Sequence, residues 1–327
     1  MVTKSNDVLI EVRDLKKYFP VKNQFLKGEK KFVKAVDGVS FEIKRGETFG
    51  LVGESGCGKS TLGRSITRLY DITSGDIFFE GTNIARFNRR DMKSFYRKMQ
   101  TIFQDPYSSL NPNMNVKELI DEPLAVHTNL TKEERDNKIQ ELLEMGGLKK
   151  SDMEKFPYEF SGGQCQRIGI ARAISTEPDF ILCDEPISAL DVSIQAQVIN
   201  MLEDLQEKMG LTYLFVAHDL SMVRHISDRI GVMYLGKIVE ISESNDLYKN
   251  PLHPYTKGLL SAIPVADPKK AKASEIQIIK GDIPSPIDIP SGCRFHTRCP
   301  YATEKCKEVQ PEMKEVGVGH FVACHLY

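Results

Sequence analysis

The stretch GESGCGKST, residues 53–61, has glycines and a lysine at a spacing that binds phosphate. Gly53 is followed, after four residues, by Gly58, Lys59 and Ser60, which matches the phosphate-loop pattern. Glycines let the backbone wrap so that its N–H groups point at phosphate oxygens, and the following helix adds its positive N-terminal end. We predict that Lys59 reaches the β- and γ-phosphates of a nucleotide and that Ser60 binds Mg²⁺.

The context of this loop favours phosphate binding over a chance glycine-rich turn. The apolar stretch TFGLV, residues 48–52, predicts a buried strand before the loop, and a helix is predicted after it. The loop residues expected to contact the nucleotide are Gly53, Ser55, Gly56, Cys57, Gly58, Lys59, Ser60 and Thr61.

An acidic pair follows a second apolar stretch, FILCDEP at 180–186. Ligands bind beyond the carboxyl ends of strands in open α/β sheets, which is where Asp184 and Glu185 would lie. Asp184 is then a candidate Mg²⁺ ligand, and Glu185 could orient or activate an attacking water. Alone, such a pair would more simply be structural; downstream of a phosphate loop, a catalytic role is favoured.

Four of the seven cysteines crowd the end of the chain. Their intervals of five, six and seventeen residues match neither a zinc ribbon nor a ferredoxin. Reduced structural cysteines, a Cys₄ zinc site and a [4Fe–4S] cluster are all compatible with the residues, and spacing alone favours the first. His296, His320 and His325 are reserve ligands. The four cysteines are Cys293, Cys299, Cys306 and Cys324.

Length and composition are those of an ordinary globular protein. The chain has 327 residues and a formal net charge of -1, so no basic field argues for a nucleic-acid partner. No apolar run approaches the roughly 18 residues of a membrane span, and the first residues lack a signal-peptide pattern. We expect a cytoplasmic protein that needs a partner to hold it at any membrane.

Two secondary-structure patterns are interleaved. Short strands at 8–19, within 32–47 and at 75–84 predict a small antiparallel layer, with a break at Asp37-Gly38 and a basic loop at 21–31. A second set alternates with helices and therefore predicts a parallel sheet with helices on its faces. Its strands are 48–52, 180–186 and 211–219, and its helices are 163–174 and 194–210.

Residues 105–160 are predicted to be mainly helical. Thr131 and Glu134 have capping-box spacing, and Gly146-Gly147 ends the helix that follows. Beyond about residue 250 the sequence is rich in proline and cannot form long regular elements.

The segment FSGGQCQRIGIARA, residues 160–173, resembles the signature motif of ATP-binding-cassette (ABC) ATPases. The spacing of Ser161 and Gln164 also fits a helix capping box, and the two interpretations are compatible. A capped helix N-terminus carrying Gly162 and Gly163 leaves an anion site open. In this family the signature of one subunit faces the γ-phosphate bound to its partner, which implies a head-to-tail dimer joined by ATP.

Other family positions are also matched. Gln104 in IFQDP resembles the glutamine loop, SALD at 188–191 follows the acidic pair, and His218 in VAHD resembles the switch histidine that senses the γ-phosphate. The resemblance makes Gln104, Glu185 and His218 the catalytic set. It assigns Mg²⁺ to Ser60, Gln104 and Asp184.

The adenine contact is assigned less directly. Phe19, with Tyr18 beside it, is the candidate aromatic for stacking on the base, and we favour Phe19. Two positions depart from the usual signature. Phe160 stands where leucine is common, and Cys165 is less usual, so its oxidation could impair the signature.

Longer stretches resemble the ATPase subunits of oligopeptide and dipeptide importers. They include 104–116, 184–202 and 250–264, and the likeness covers nearly the whole chain, including its cysteine pattern. The resemblance implies an ATPase that energises peptide import through a membrane permease. It also favours the [4Fe–4S] cluster over zinc, and it leaves nickel or glutathione as alternative solutes.

The implied fold is an α/β P-loop cassette. It combines a RecA-like parallel sheet and an antiparallel β layer with a helical subdomain at 105–160. We predict a cassette over 1–255 and a C-terminal, cysteine-containing extension over 256–327.

The implied partners are a second ATPase chain, giving a heterodimer, two permease subunits and, indirectly, an extracytoplasmic solute-binding protein. The protein would then lie at the cytoplasmic face of the membrane. A soluble cassette protein of DNA repair or translation would carry a coiled-coil insertion or two cassettes, neither of which occurs here. A non-catalytic regulatory cassette is disfavoured by Glu185 and His218.

Overall fold

The computed structural model of the chain describes residues 7–21, 31–263, 279 and 281–327. The predicted basic loop at 21–31 lies outside these residues except at its two ends. The strands are β1 (Val8–Pro20), β2 (Phe32–Lys44), β3 (Thr48–Val52), β4 (Ser74–Phe79), β5 (Thr82–Asn83), β6 (Met99–Ile102), β7 (Phe180–Asp184), β8 (Thr212–Val216), β9 (Arg229–Tyr234), β10 (Lys237–Glu243), β11 (Lys314–Gly317) and β12 (His320–Val322).

Helices alternate with these strands over most of the described chain, and short 3₁₀ turns lie at Lys150–Asp152 and Pro157–Glu159. The helices are α1 (Lys59–Ile66), α2 (Lys93–Lys98), α3 (Val116–His127), α4 (Lys132–Met145), α5 (Gly162–Ile174), α6 (Val192–Met209), α7 (Leu220–Ile226), α8 (Ser244–Lys249), α9 (Pro254–Ser261) and α10 (Glu304–Glu308).

The chain forms two units. Unit 1 is built mainly from Ile43–Glu47 and Arg86–Val216, and unit 2 from Leu9–Glu42, Thr48–Ala85 and Ala217–Tyr327. The phosphate loop and the C-terminal extension therefore share unit 2. The predicted division at residue 255 stays a prediction.

Three parallel strands form the centre of unit 1. β6 pairs with β7, and β7 with β8. Every residue of β7 and β8 is buried, as expected for parallel strands that are covered on both faces. Asp184 is the last residue of β7, so the acidic pair lies at a carboxyl end, as predicted.

The helical part of unit 1 confirms the local predictions. The Thr131 hydroxyl accepts the Glu134 N–H at 3.3 Å, and the Glu134 carboxylate accepts the Thr131 N–H at 2.7 Å. This capping box starts α4, and Gly147 at φ 70° follows its end. The buried face of α4 consists of Ile139, Leu142 and Leu143.

Unit 2 contains both parallel and antiparallel strands. β3 and β9 are parallel, whereas β10 pairs antiparallel with β9 and with β12, and β12 with β11. A separate four-stranded sheet has the order β2-β1-β4-β5, with β4 antiparallel to β1 and β5, which confirms the predicted antiparallel layer. The single strand predicted at 75–84 is wrong, because the chain turns at Glu80-Gly81 and forms the two strands β4 and β5.

The predicted break at Asp37-Gly38 is wrong, because β2 runs through it as one strand. Gly38 takes φ 79°, a left-handed conformation that glycine adopts without a Cβ clash. The Asp37 N–H donates to the Gly236 carbonyl at 2.9 Å, so the irregular position keeps its backbone hydrogen bond.

The C-terminal extension is attached to β10 by a buried carboxylate. Glu240 is fully buried and accepts the N–H groups of Leu252 at 2.8 Å and His253 at 2.9 Å. Its Oε1 also lies 2.8 Å from Nε2 of His320 in β12. The Glu240 side chain therefore holds both the residues that precede α9 and the strand β12. No helix in the described ranges is long and apolar enough to cross a membrane.

Candidate nucleotide site

The phosphate loop in unit 2 requires glycine at two positions. Gly53 has φ 151° and Gly58 has φ 110°. A Cβ on Gly53 would lie 2.1 Å from the Met233 carbonyl oxygen, and one on Gly58 would lie 2.0 Å from that of Ala35. Gly56, at φ 79°, has no such neighbour within 4 Å. The loop conformation therefore depends on close backbone approach as well as on positive φ.

Lys59 begins α1 and folds back over the loop. Its side chain is buried, and Nζ donates to the carbonyls of Gly53 at 2.8 Å and Glu54 at 3.2 Å. Gly58, the N-cap of α1, has no side chain that could cap the first N–H groups. The ammonium group and the start of the helix thus lie at the loop, which is the arrangement that phosphate binding requires.

Cys57 contributes to this loop by packing. Its thiol is buried, and burial raises the thiol pKa above its usual value. Its carbonyl accepts the Gly236 N–H at 2.8 Å. The thiol is therefore enclosed by the protein, and any nucleotide contact of Cys57 would come from its backbone.

Unit 1 brings Gln104 and Glu185 together. The Gln104 Nε2 donates to Glu185 Oε2 at 2.9 Å, across 81 residues of sequence. Glu185 has φ 50°, and its N–H donates to the Val216 carbonyl at 3.0 Å. A non-glycine residue in the left-handed region is strained, and such strain is concentrated at functional sites. Asp184, immediately before it, is fully buried.

The signature segment has the predicted cap. Ser161 Oγ accepts the Gln164 N–H at 3.4 Å, and Gln164 Oε1 accepts the Ser161 N–H at 3.0 Å. Both side chains are exposed at the start of α5. A Cβ on Gly163 would lie 2.6 Å from Ile194 Cγ2, so this glycine also allows α5 to pack closely beside α6. Gly162 is half-buried beside it.

The two candidate adenine aromatics have different surroundings. The Tyr18 hydroxyl donates to the Asp37 carboxylate. The Phe19 ring lies edge-on to Tyr70 at 5.7 Å, with the Lys17 ammonium 4.6 Å from its centroid. Successive residues of a strand point to opposite faces. Tyr18 and Phe19 therefore lie on opposite faces of β1. Because the Tyr18 hydroxyl is already bound to Asp37, Phe19 is favoured as the stacking ring.

His218 follows β8, and its side chain is exposed. It belongs to unit 2, and Asp219 beside it caps α7 by accepting the Ser221 N–H at 2.8 Å. Its predicted contact with the γ-phosphate stays a prediction.

The structure adds three residues that sequence reasoning missed. Glu54, an unspecified position of the loop motif, forms an ion pair with Arg298 of the C-terminal extension. Its N–H donates to the Tyr255 hydroxyl at 2.8 Å. The motif gives no signal for either contact, because both partners lie more than 200 residues away along the chain.

The four C-terminal cysteines line one cavity of about 30 Å³. Burial raises the pKa of the Cys293 thiol to about 11, and it also raises the pKa values of the Cys299 and Cys324 thiols. In the part of the chain that the structure describes, no three or more His, Cys, Asp or Glu side chains are grouped to hold a metal ion. Neither the zinc site nor the iron–sulfur cluster is therefore borne out by this geometry.

The sequence matches two known families. Residues 36–188 match the family described as ABC transporter, and residues 239–306 match the oligopeptide/dipeptide transporter C-terminal region. The second match includes three of the four clustered cysteines.

Curated relatives are similar over the full length. The oligopeptide transport ATP-binding protein AppF of Bacillus subtilis is 53% identical over 328 residues, which covers 100% of both chains. The oligopeptide transport ATP-binding protein OppF of Escherichia coli K12 is 48% identical, covering 99% of this chain and 97% of OppF.

Solved structures share the fold. The dimeric ATP-binding cassette MJ0796 bound to ADP and Pi has a TM-score of 0.64 at 28% identity, and covers 72% of this chain and 98% of its own. CbiO1 from Clostridium perfringens has a TM-score of 0.64 at 25% identity, with coverages of 75% and 92%. The α/β P-loop fold predicted from the sequence is confirmed. The chain belongs to the ATP-binding proteins of the ABC transporter family, in the branch that contains the oligopeptide transport proteins.

Proposed function

We propose that this chain hydrolyses ATP and thereby energises the import of oligopeptides or dipeptides through a membrane permease. The observation that carries the proposal is the 53% identity to AppF along the entire chain. The match at 239–306 strengthens it, because that region is particular to oligopeptide and dipeptide transporters, whereas the match at 36–188 is common to ABC transporters.

The nucleotide chemistry is divided between named groups. Lys59 and the loop N–H groups would bind the β- and γ-phosphates, and Ser60, Gln104 and Asp184 would be the ligands of Mg²⁺, which would neutralise phosphate charge when bound. Glu185 accepts a proton from the attacking water. The 2.9 Å hydrogen bond from Gln104 supports this role, because it holds the Glu185 carboxylate in one orientation.

The site is completed by a second ATPase subunit. The signature residues Ser161, Gly162, Gly163 and Gln164 contact the γ-phosphate bound to the partner, and His218 contacts that of its own chain. The accessible N-terminus of α5 supports this, because its N–H groups can face an anion. We propose a heterodimer, so the activity of each composite site also depends on the other chain.

The segment 105–160 docks on the permease. It exposes several large apolar side chains, Tyr107 at 51%, Val126 at 54% and Tyr158 at 73%. Exposed aromatic side chains are enriched where proteins bind one another. We propose that the chain is peripheral, at the cytoplasmic face of the membrane, with solute delivered to the permease by a separate binding protein.

The test is transport by the reconstituted importer. ATP-dependent uptake of labelled di- and oligopeptides into vesicles should require this subunit and stop in a Glu185→Gln variant. A matched Glu207→Gln variant changes an exposed glutamate of α6 and should transport normally. Uptake of nickel or glutathione in place of peptides would reassign the solute. ATP hydrolysis by the chain without any membrane partner or transport would favour a soluble cassette ATPase.

We propose in addition that Cys293, Cys299, Cys306 and Cys324 hold a [4Fe–4S] cluster. All four cysteines line one cavity, which gathers their side chains from three separate stretches of the extension. A four-iron cluster would take its four thiolate ligands from these cysteines. When bound, the cluster would cross-link the extension and stabilise its fold.

Metal analysis of protein purified without oxygen tests this proposal. We expect about four iron and four sulfide per chain, lost in a Cys299→Ser variant. One zinc per chain without iron would show that the four cysteines form a zinc site and not a cluster. Absence of any metal would show that they are reduced structural cysteines.

A further inference from the structure

We propose that the C-terminal extension positions the nucleotide site through two buried arginines, Arg298 at the phosphate end and Arg294 at the adenine end. The proposal rests on the function proposed above, because it takes 53–61 as the ATP phosphate loop. The two arginines are sequence neighbours of clustered cysteines, Arg294 following Cys293 and Arg298 preceding Cys299. The segment that gathers the cysteines therefore also places both arginines.

At the phosphate end, Arg298 forms a bidentate ion pair with Glu54. Nη1 donates to Oε2 at 2.8 Å and Nη2 to Oε1 at 3.0 Å. The Arg298 side chain is 6% exposed and that of Glu54 is 24% exposed, so solvent screens the pair little. Two parallel charge-assisted hydrogen bonds fix orientation as well as adding energy.

The backbone of Glu54 is held as well. Its N–H donates to the hydroxyl of Tyr255, whose ring is fully buried and lies 5.4 Å from that of Phe295. Its carbonyl accepts the Lys59 ammonium at 3.2 Å. A continuous set of contacts thus runs from Arg298 and Tyr255, through Glu54, to the lysine that binds the phosphates.

At the adenine end, Arg294 binds the Asp37 carboxylate and the Leu235 carbonyl. The same carboxylate accepts the hydroxyl of Tyr18, the residue before Phe19. Burial acts to raise the pKa of Asp37, but hydrogen bonds from Tyr18 and Arg294 outweigh it, and the pKa is lowered. The ionised carboxylate therefore anchors the end of β1, which carries the candidate stacking ring on its opposite face.

Nucleotide affinity of the full-length chain tests the phosphate end. Binding of Mg²⁺ and AMP-PNP, which is not hydrolysed, is measured by calorimetry for wild type, Arg298→Gln, Glu54→Gln and the double variant. Each single change should weaken binding about tenfold, the scale of one charge-assisted interaction. The double variant should be no weaker than the weaker single variant, because both remove the same ion pair. Arg298→Lys should recover only part of the affinity, since lysine cannot make the bidentate contact.

A matched variant separates positioning from stability. Arg135→Gln removes a partly buried ion pair with Asp121, 2.5 Å long and remote in sequence from the loop, and should leave AMP-PNP affinity unchanged. Thermal unfolding is recorded for every variant. If Arg298→Gln and Glu54→Gln lower the unfolding midpoint but bind AMP-PNP as wild type does, the arginine is only structural and the proposal is overturned. If Arg298→Gln does not fold, the AMP-PNP affinity of Glu54→Gln tests the proposal alone. This variant keeps a side chain that can form a hydrogen bond with Arg298, so it is expected to fold.

The adenine end is tested separately with Arg294→Gln and Tyr18→Phe. Both remove a partner of Asp37 while leaving Phe19 in place, and both should weaken AMP-PNP binding about tenfold. If both variants bind AMP-PNP as wild type does, the proposed role of Arg294 is overturned, and the proposed role of Arg298 is unaffected. If the wild-type chain does not bind AMP-PNP at all, the proposed ATPase function itself is wrong, which is a different result from unaltered affinity in the variants.

Discussion

The side-chain amide of Gln104 donates a 2.9 Å hydrogen bond to the carboxylate of Glu185, a residue held at φ 50°. The two residues lie after neighbouring parallel strands, β6 and β7, whose carboxyl ends meet at one edge. The contact restricts the orientation of the carboxylate, so the proposed general base is positioned before any water is bound.

Replacing Glu185 by glutamine should separate binding from hydrolysis. Glutamine is nearly isosteric and still accepts the Gln104 hydrogen bond, but it cannot take a proton. We expect the ATPase rate of the assembled complex to fall at least about 100-fold with little change in ATP affinity. Steady-state hydrolysis and nucleotide calorimetry measure the two effects. Undiminished hydrolysis would assign the base to another residue.

Alanine at Gly58 should disrupt the phosphate loop more than alanine at another left-handed glycine. Its Cβ would lie 2.0 Å from the Ala35 carbonyl oxygen, whereas Gly210, at φ 68°, has no atom within 4 Å of that position. We expect Gly210→Ala to lower the free energy of unfolding by about 1 kcal/mol, the cost of left-handed backbone alone. Gly58→Ala should cost more than about 3 kcal/mol and abolish nucleotide binding. Equal costs in chemical denaturation would contradict the steric argument.

Two substitutions of Ser161 should distinguish its capping role from its proposed contact with phosphate. Ser161→Ala removes the cap of α5 and should destabilise the protein by about 1 kcal/mol. Ser161→Asp keeps a capping oxygen, so stability should be close to wild type, but its negative charge opposes the γ-phosphate of the partner's ATP. ATPase activity of the assembled complex should therefore fall in the aspartate variant despite normal unfolding. Normal activity would leave Ser161 as a cap only.

The Cys165 thiol should resist alkylation in the native protein. The residue is fully buried, its sulfur lies 3.4 Å from the Pro157 carbonyl, and burial raises its pKa to about 11. At pH 8 about one thiol in a thousand is then ionised, and the fraction rises roughly tenfold per pH unit up to pH 11. Mass-spectrometric mapping after iodoacetamide treatment should find Cys165 modified only after unfolding. The expectation from the sequence that its oxidation could impair the signature is therefore disfavoured.

Many local features of this protein could be predicted from its sequence. The loop 53–61 needs only glycines, a lysine and a hydroxyl at fixed intervals, and the capping boxes at Thr131 and Ser161 need only residues three apart. Such patterns operate within one or two turns of chain. The continuity of β2 was not predicted, because a glycine such as Gly38 can either end a strand or form an irregular position within one. Which of the two occurs depends on the residues that pack around it.

The sequence by itself determined the fold class, the phosphate loop, the acidic pair and the identity of the four clustered cysteines, since each follows from residue type and short spacing. Tertiary structure alone decided that Glu54 meets Arg298 and Tyr255, that Asp37 is shared by Tyr18 and Arg294, and that Glu240 holds the extension. Those pairs are separated by between 12 and 257 residues, and any of many carboxylates could in principle have met either arginine. Only the packing of strands and loops in unit 2 brings these particular charges within hydrogen-bonding distance, and burial then makes each pairing obligatory.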